Sequence, residues 1–151
     1  MGQPERHERC SRLAGENPYT QVPSLIFDTD ILIWVHRGHP GAARFVNRVP
    51  TKERNLSVVS YLEILYGSRD ANDLKNIHRM VEDLFAEVVP INEIVSASAS
   101  TILKSYVVAH RVDPSDALIG ATALARQEPL ATGNVKHFKF IPGLKVRAFE
   151  P

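Results

Sequence analysis

The chain has 151 residues, of which 44% are hydrophobic and 23% charged, and its formal net charge is +1. This length and hydrophobic content predict one globular domain and exclude wholesale disorder. No apolar run approaches the roughly 18 residues that cross a bilayer. The single cysteine, Cys10, excludes an internal disulfide framework, and the first residues lack the apolar stretch of a secretory signal. We therefore predict a cytoplasmic protein with no membrane association, whose balanced charge excludes nucleic-acid binding by bulk electrostatics alone.

Strands and helices are predicted to alternate along most of the chain. Residues 1–23 are polar, proline-interrupted and without periodicity, which predicts a flexible extension before a single domain over residues 24–148. The predicted strands are residues 24–27, 55–59, 87–89, 130–132 and 144–146. The predicted helices start near residues 31, 42, 60, 74, 95 and 113, and the last runs to about residue 126. This alternation predicts an α/β fold, with a parallel sheet covered by helices on both faces.

Polar side chains recur at the ends of the predicted strands. Asp28 follows the first strand, and Glu63 is expected in the first turn after the second. Asp116 opens the helix before the fourth strand, and Asn134 follows that strand. Ligands of open α/β sheets bind at the carboxyl ends of the strands, so these side chains are expected at one edge. Clustered carboxylates repel one another, which raises a carboxyl pKa or demands a counter-cation. Hard oxygen ligands select Mg²⁺ or Mn²⁺ as that cation. The pattern indicates metal-assisted phosphoryl chemistry.

Each acid also has a purely structural interpretation. Asp28 is a candidate N-cap, Glu63 a candidate partner of Ser60 in a capping box, and Asp116 a first-turn carboxylate favoured by the helix dipole. Asp30, two residues after Asp28, is an equal candidate for supporting the site and for pointing elsewhere. The same placement at four strand ends favours a functional site over four unrelated caps.

Four short segments that contain these residues follow one another along the chain. They are LIFDTDILIW at 25–34, VVSYLEILYG at 58–67, DALIGATAL at 116–124 and LATGNVKHF at 130–138. In this order and spacing they resemble the motifs of PIN-domain ribonucleases of the VapC toxin type. The resemblance extends from about residue 24 to about residue 146, and four ordered motifs are a much stronger signal than one.

The resemblance implies a three-layer α/β/α PIN-like fold with a central parallel sheet, and a Mg²⁺- or Mn²⁺-dependent endoribonuclease. Its catalytic and metal-binding acids would be Asp28, Glu63 and Asp116, and its substrate RNA. A homodimer and a cognate VapB-like antitoxin are the implied partners. Asn134 stands where the wider family often has Asp, and an amide supplies neither charge nor a base. We therefore expect Asn134 to orient water or another ligand, which leaves one metal ion or two as alternatives.

Other residues near the motifs have two interpretations. Ser60 and Thr132 are candidates both for hydrogen-bond support of the carboxylates and for caps. His137 stays outside the predicted site, because a lone histidine is more often structural or exposed. A basic stretch between the first two motifs is more often a solvated face than an RNA contact. It consists of Arg37, Arg44, Arg48, Lys52 and Arg54.

The sequence offers three alternative functions, and it disfavours the first. The segment Asp28-Thr29-Asp30 also resembles the nucleophile motif of haloacid-dehalogenase-type phosphatases, but Leu32 stands where that motif requires Thr or Val. A catalytically inactive PIN-like module that binds RNA or protein is the second alternative, favoured by Asn134 and disfavoured by the three retained acids. A housekeeping RNA-processing nuclease is the third, since it would share the chemistry of a toxin.

Overall fold

The computed structural model describes residues 22–151, so nearly all of the predicted extension over residues 1–23 lies outside the described residues. Within them, five parallel strands form one sheet in the order β3-β2-β1-β4-β5. The strands are β1 Leu25–Phe27, β2 Arg54–Ser57, β3 Glu87–Val89, β4 Leu130–Thr132 and β5 Val146–Ala148. The helices are α1 Thr29–His36, α2 Pro40–Asn47, α3 Val58–Tyr66, α4 Ala71–Leu84, α5 Glu93–His110 and α6 Pro114–Arg126.

The side chains of the central strand β1 alternate between the two faces of the sheet, and both faces are covered by helices. Leu25 and Phe27 face one side and Ile26 the other, because successive side chains of a strand point to opposite faces. The first side packs against apolar residues of α1, α2, α3 and α4, and the second against α5 and α6. All three β1 side chains are fully buried, as expected for a parallel strand covered on both faces. The predicted α/β fold with a central parallel sheet is confirmed.

The chain changes direction across the sheet next to β1. From β1 it proceeds through β2 to β3 on one side, and after α5 and α6 it returns to β4 and β5 on the other. The gap between the carboxyl ends of β1 and β4 is therefore the topological switch point, where α/β sheets bind ligands. None of the helices in residues 22–151 is long and apolar enough to cross a membrane.

The boundary between β2 and α3 differs from the prediction. β2 ends at Ser57, whose Oγ caps α3 by accepting a hydrogen bond from Val59 N at 3.2 Å. The β-branched pair Val58–Val59 therefore begins the helix instead of ending the strand. The predicted capping box of Ser60 and Glu63 is wrong, because both residues lie inside α3 and Glu63 is in its second turn.

The last strand is also displaced, from predicted residues 144–146 to Val146–Ala148. Residues 141–144 form a turn instead, in which Leu144 N donates to Ile141 O at 3.3 Å. Gly143 adopts a φ of +78°, which glycine tolerates without a steric penalty. The turn delays the start of β5 by two residues and brings it alongside β4.

Candidate active site

Asp28 lies directly after β1, and both of its carboxylate oxygens accept hydrogen bonds. Its Oδ1 accepts a hydrogen bond from Thr29 N at 2.7 Å, which makes Asp28 the N-cap of α1. Its Oδ2 accepts a hydrogen bond from the Thr132 hydroxyl, also at 2.7 Å. Only 4% of Asp28 is exposed. The helix cap and the buried carboxylate at the sheet edge are thus the same residue, so the two interpretations from the sequence do not exclude each other.

Thr132 joins the ends of β1 and β4. While its hydroxyl donates to Asp28, its Oγ1 accepts a hydrogen bond from Asn134 N at 2.9 Å. Thr132 is fully buried and Asn134 is exposed. The backbone of the fourth motif is therefore held by the same hydroxyl that orients the Asp28 carboxylate.

Asp30 lies in the first turn of α1 and faces the same sheet edge. Its Oδ2 accepts a hydrogen bond from Gly133 N at 2.8 Å. Its Oδ1 is buried without a hydrogen-bond partner among the described residues. A buried carboxylate oxygen without a donor is costly, so this atom is a position where a donor or a cation would be stabilised.

A Gly133→Ala substitution is expected to destabilise the protein by about 1–2 kcal/mol. A Cβ at this position would lie 2.6 Å from Asp30 Oδ2, so the carboxylate must move and the bond from Gly133 N is lost. Urea denaturation measures the change, with Gly67→Ala as control because its Cβ meets no atom closer than 3.6 Å. In an Asp30→Ala background the Gly133→Ala cost should largely disappear; an equal cost there would show that the clash with Asp30 is not the cause.

Glu63 and Asp116 come from α3 and α6, and each contacts a neighbouring polar side chain. Glu63 Oε1 accepts a hydrogen bond from the Thr29 hydroxyl at 2.9 Å. Asp116, the third residue of α6, lies 3.1 Å through Oδ2 from His137 Nδ1. His137 belongs to a short 3-10 helix, Val135–His137, that follows β4.

Sequence reasoning missed Thr29 and His137 as neighbours of the acids. Thr29 lies between the two aspartates of the first motif, and His137 lies within the fourth motif. Their position inside the motifs was the signal that could have placed both residues near the acids. For His137 this signal was set aside because a lone histidine is seldom functional. Ser60 was considered as a support for the carboxylates, but its buried Oγ has no hydrogen-bond partner among the described residues.

The electrostatics of this edge are those of crowded, partly desolvated acids. Burial, reinforced by the charge of Asp30, raises the pKa of Asp28 to about 7. Burial is also the largest cause of the raised pKa values of Asp30, Glu63 and Asp116. The charge of Asp116 adds to the shift of the other three carboxyl groups. The acids therefore act on one another, as expected of carboxylates that share a site.

The donor set fits a hard divalent cation. Its oxygens are carboxylates with raised pKa values, and one of them, Asp30 Oδ1, is buried without a donor. Within residues 22–151, however, no three His, Cys, Asp or Glu side chains are arranged so that they form a metal centre as they stand. Binding a cation would therefore require these carboxylates to draw closer together.

The fold and the site together define a class of protein. It is a three-layer α/β domain with a cluster of acids at the switch point of a parallel sheet, a site suited to a cation or a phosphate-containing ligand. Residues 25–141 match the family model described as PIN domain. The chain belongs to the PIN-domain family.

Similar proteins agree with this assignment. The chain is 32% identical over 123 residues to Ribonuclease VapC10 of Mycobacterium tuberculosis. The alignment covers 80% of this chain and 90% of that relative. A chain of the toxin-antitoxin complex from Klebsiella pneumoniae superposes with a TM-score of 0.70 at 26% identity, over 85% of this chain and 100% of the other. VapBC2 from Rickettsia felis, bound to a promoter DNA fragment, gives a TM-score of 0.70 at 19% identity, covering 83% and 98%; this likeness concerns the fold alone.

Proposed function

We propose that this protein is an endoribonuclease that hydrolyses RNA phosphodiester bonds with Mg²⁺ or Mn²⁺ and acts as the toxin of a toxin–antitoxin pair. The observation that carries the proposal is the group of four carboxyl groups with raised pKa values at the switch point of a PIN domain. The ribonuclease name of the Mycobacterium tuberculosis relative supports the activity. The similarity to a chain of the Klebsiella pneumoniae toxin–antitoxin complex supports the biological role.

Asp28 and Asp116 are the proposed direct ligands of the ion, and Glu63 binds the ion or holds a water molecule beside it. When bound, the ion supplies an activated water molecule and neutralises charge on the phosphate. Asp28 is held for this role by Thr29 N and Thr132, which fix both of its oxygens.

Other residues of this chain orient the remaining acids. The Thr29 hydroxyl turns Glu63 towards the site, and His137 holds one oxygen of Asp116. Asp30 anchors Gly133 N and so fixes the loop that carries Asn134. The exposed Asn134 amide, which both donates and accepts hydrogen bonds, is suited to orient water or substrate. These supports orient the individual acids, and cation binding is expected to draw the carboxylates closer together.

The proposed partners are a cognate VapB-like antitoxin and a second copy of this chain. The antitoxin is supported by the similarity of this chain to a chain of the toxin–antitoxin complex from Klebsiella pneumoniae. The homodimer remains a prediction from the family resemblance.

The proposed function is tested by inducing the wild type and an Asp116→Asn variant in bacterial cells and mapping new RNA 5′ ends. Recurrent cuts and growth arrest are expected with the wild type and not with the variant, because the variant lacks one proposed ligand. Asp83→Asn, an exposed carboxylate on α4, is the matched control and should cut like the wild type. Equal cutting by Asp116→Asn would refute the site. Soluble wild-type protein that yields no new ends would favour a non-cleaving module.

A further inference from the structure

A polar cleft opens beside the acidic site, and the proposed chemistry of the four acids does not use it. It lies between α1, α3 and α4 and has a volume of about 780 Å³. Glu63 forms part of its wall, so the cleft is continuous with the acidic edge of the sheet. The side chains of His36, Arg37 and Arg69 also line it. The cleft thus places two arginines, together with the carboxylates of Glu63 and Asp73, beside the acidic edge of the sheet.

A buried carboxylate organises the floor of this cleft. Asp73 is only 5% exposed, and its Oδ1 lies 2.8 Å from His36 Nε2. Its Oδ2 accepts hydrogen bonds from Arg69 N at 2.9 Å and from Arg69 Nε at 3.3 Å. The bonds from Arg69 lower the pKa of Asp73 to about 2, so Asp73 is ionised at neutral pH. The Asp73 carboxylate therefore holds the side chains of Arg69 and His36 in place.

The two arginines of the cleft keep donors for a ligand. The Arg69 side chain is 83% exposed although Asp73 holds one edge of its guanidinium group. Arg37 ends α1, is exposed, and forms no ion pair with a described residue. Guanidinium groups present planar sets of N–H donors that match the oxygens of a phosphate. The cleft therefore offers two phosphate-binding groups next to a site proposed to act on a phosphate.

We propose that this cleft is a subsite for the phosphate of a nucleotide adjacent to the cleaved bond, with Arg37 and Arg69 as its contacts and Asp73 as the positioning residue of Arg69. The inference rests on the proposed RNA-cleaving function. Glu63 belongs both to the acidic edge and to the lining of the cleft. A strand with one phosphate at the carboxylates can therefore place a neighbouring phosphate in the cleft, where Arg37 and Arg69 lie. The subsite recognises backbone and is independent of base sequence, because arginine contacts to phosphate carry no sequence information.

The test measures binding of a short fluorescent oligouridylate to the Asp116→Asn protein, which is not expected to cut it. Arg37→Gln and Arg69→Gln should each weaken binding by about 3- to 10-fold. Each should also reduce the slope of log affinity against log salt by about 0.7, the value for one lost contact to a single strand. Arg79→Gln, an exposed arginine of α4 that does not line the cleft, is the matched control.

Asp73 is tested as a positioning residue by a double-mutant cycle. Asp73→Asn should weaken oligouridylate binding when Arg69 is present and have little further effect in the Arg69→Gln protein. A merely structural role would give the same loss in both backgrounds. The arginine variants lie at the surface, so they test the subsite even if the buried Asp73 variant fails to fold.

Three outcomes would overturn the subsite. One is an Arg37→Gln and Arg69→Gln pair that binds oligouridylate like Arg79→Gln. Another is a parent protein that does not bind oligouridylate at low salt, since a phosphate subsite needs no particular bases. The third is that the arginine variants bind RNA normally but lose binding to an acidic peptide such as oligoglutamate. That result would show that the cleft binds a protein segment. Wild-type cutting in cells decides the proposed function separately, so the two failures are distinguishable.

Discussion

An Asp28→Asn variant is expected to lose RNA cleavage by more than about 100-fold while becoming more stable than the wild type in the absence of metal. The activity falls because a proposed ligand loses its charge. The stability rises because the wild type must ionise a carboxyl group whose pKa is raised to about 7 by burial and by Asp30. At pH 8 a gain of about 1–3 kcal/mol in the free energy of unfolding is expected.

The substitution preserves the local structure that a larger change would destroy. Asparagine is also a favourable N-cap, so its Oδ1 can still accept the hydrogen bond from Thr29 N. The amide can then donate to Thr132 Oγ1 in place of the bond that the hydroxyl now donates. Cleavage of an RNA identified in cells and urea denaturation in EDTA measure the two effects. Asp83→Asn should change neither, because this carboxylate is exposed and does not contribute to the pKa shifts of the four acids.

Opposite signs of the two effects distinguish a functional acid from a structural cap. If Asp28 served only to cap α1, its replacement would leave cleavage unchanged and lower or preserve stability. A variant that is both stable and fully active would therefore remove Asp28 from the site. A variant that is inactive because it is unfolded would contradict the expected gain in stability.

Much of the fold was predictable because each element carries its own local signal. The N-cap Asp113, Pro114 in the first turn and the apolar stripe that follows predicted α6 as it occurs. The predictions failed where two local preferences compete. At Val58–Val59 the β-branched side chains favour a strand, but the Ser57 hydroxyl caps a helix and tertiary packing decides for α3.

The site was predictable as a set of acids at strand ends, because the carboxyl ends of parallel strands meet at one edge. Its hydrogen bonds were not, because they join residues far apart in the chain. Thr29 bonds to Glu63 across 34 positions, and Asp30 bonds to Gly133 across 103. The role of an arginine in the basic stretch also depends on contacts with distant residues, which the sequence does not reveal. Arg54 is buried and donates to the carbonyls of Val49 and Leu84, so it is not available to RNA.

The metal-free protein is expected to lose stability relative to the Asp28→Asn variant as the pH rises from about 4 to about 7. In the unfolded chain Asp28 ionises near its ordinary value of 3.8, whereas in the folded protein it ionises near 7. Between these values the folded state holds a proton that the unfolded state has released, so raising the pH favours unfolding. The largest possible effect is about 4 kcal/mol, since one pKa unit corresponds to about 1.4 kcal/mol. Urea denaturation of both proteins across this range measures it.

Mg²⁺ is expected to reverse this loss, because a bound cation stabilises the ionised carboxylates. At pH 8 the free energy of unfolding of the wild type should rise by about 1.4 kcal/mol for each tenfold increase of Mg²⁺ above its dissociation constant. The Asp28→Asn variant should respond much less. Protein without RNA suffices, so this measurement separates metal binding from the choice of substrate. A wild type that is indifferent to Mg²⁺ and Mn²⁺ at pH 8 would contradict the proposed metal site. A stability difference that does not change with pH would contradict the raised pKa that burial and Asp30 give Asp28.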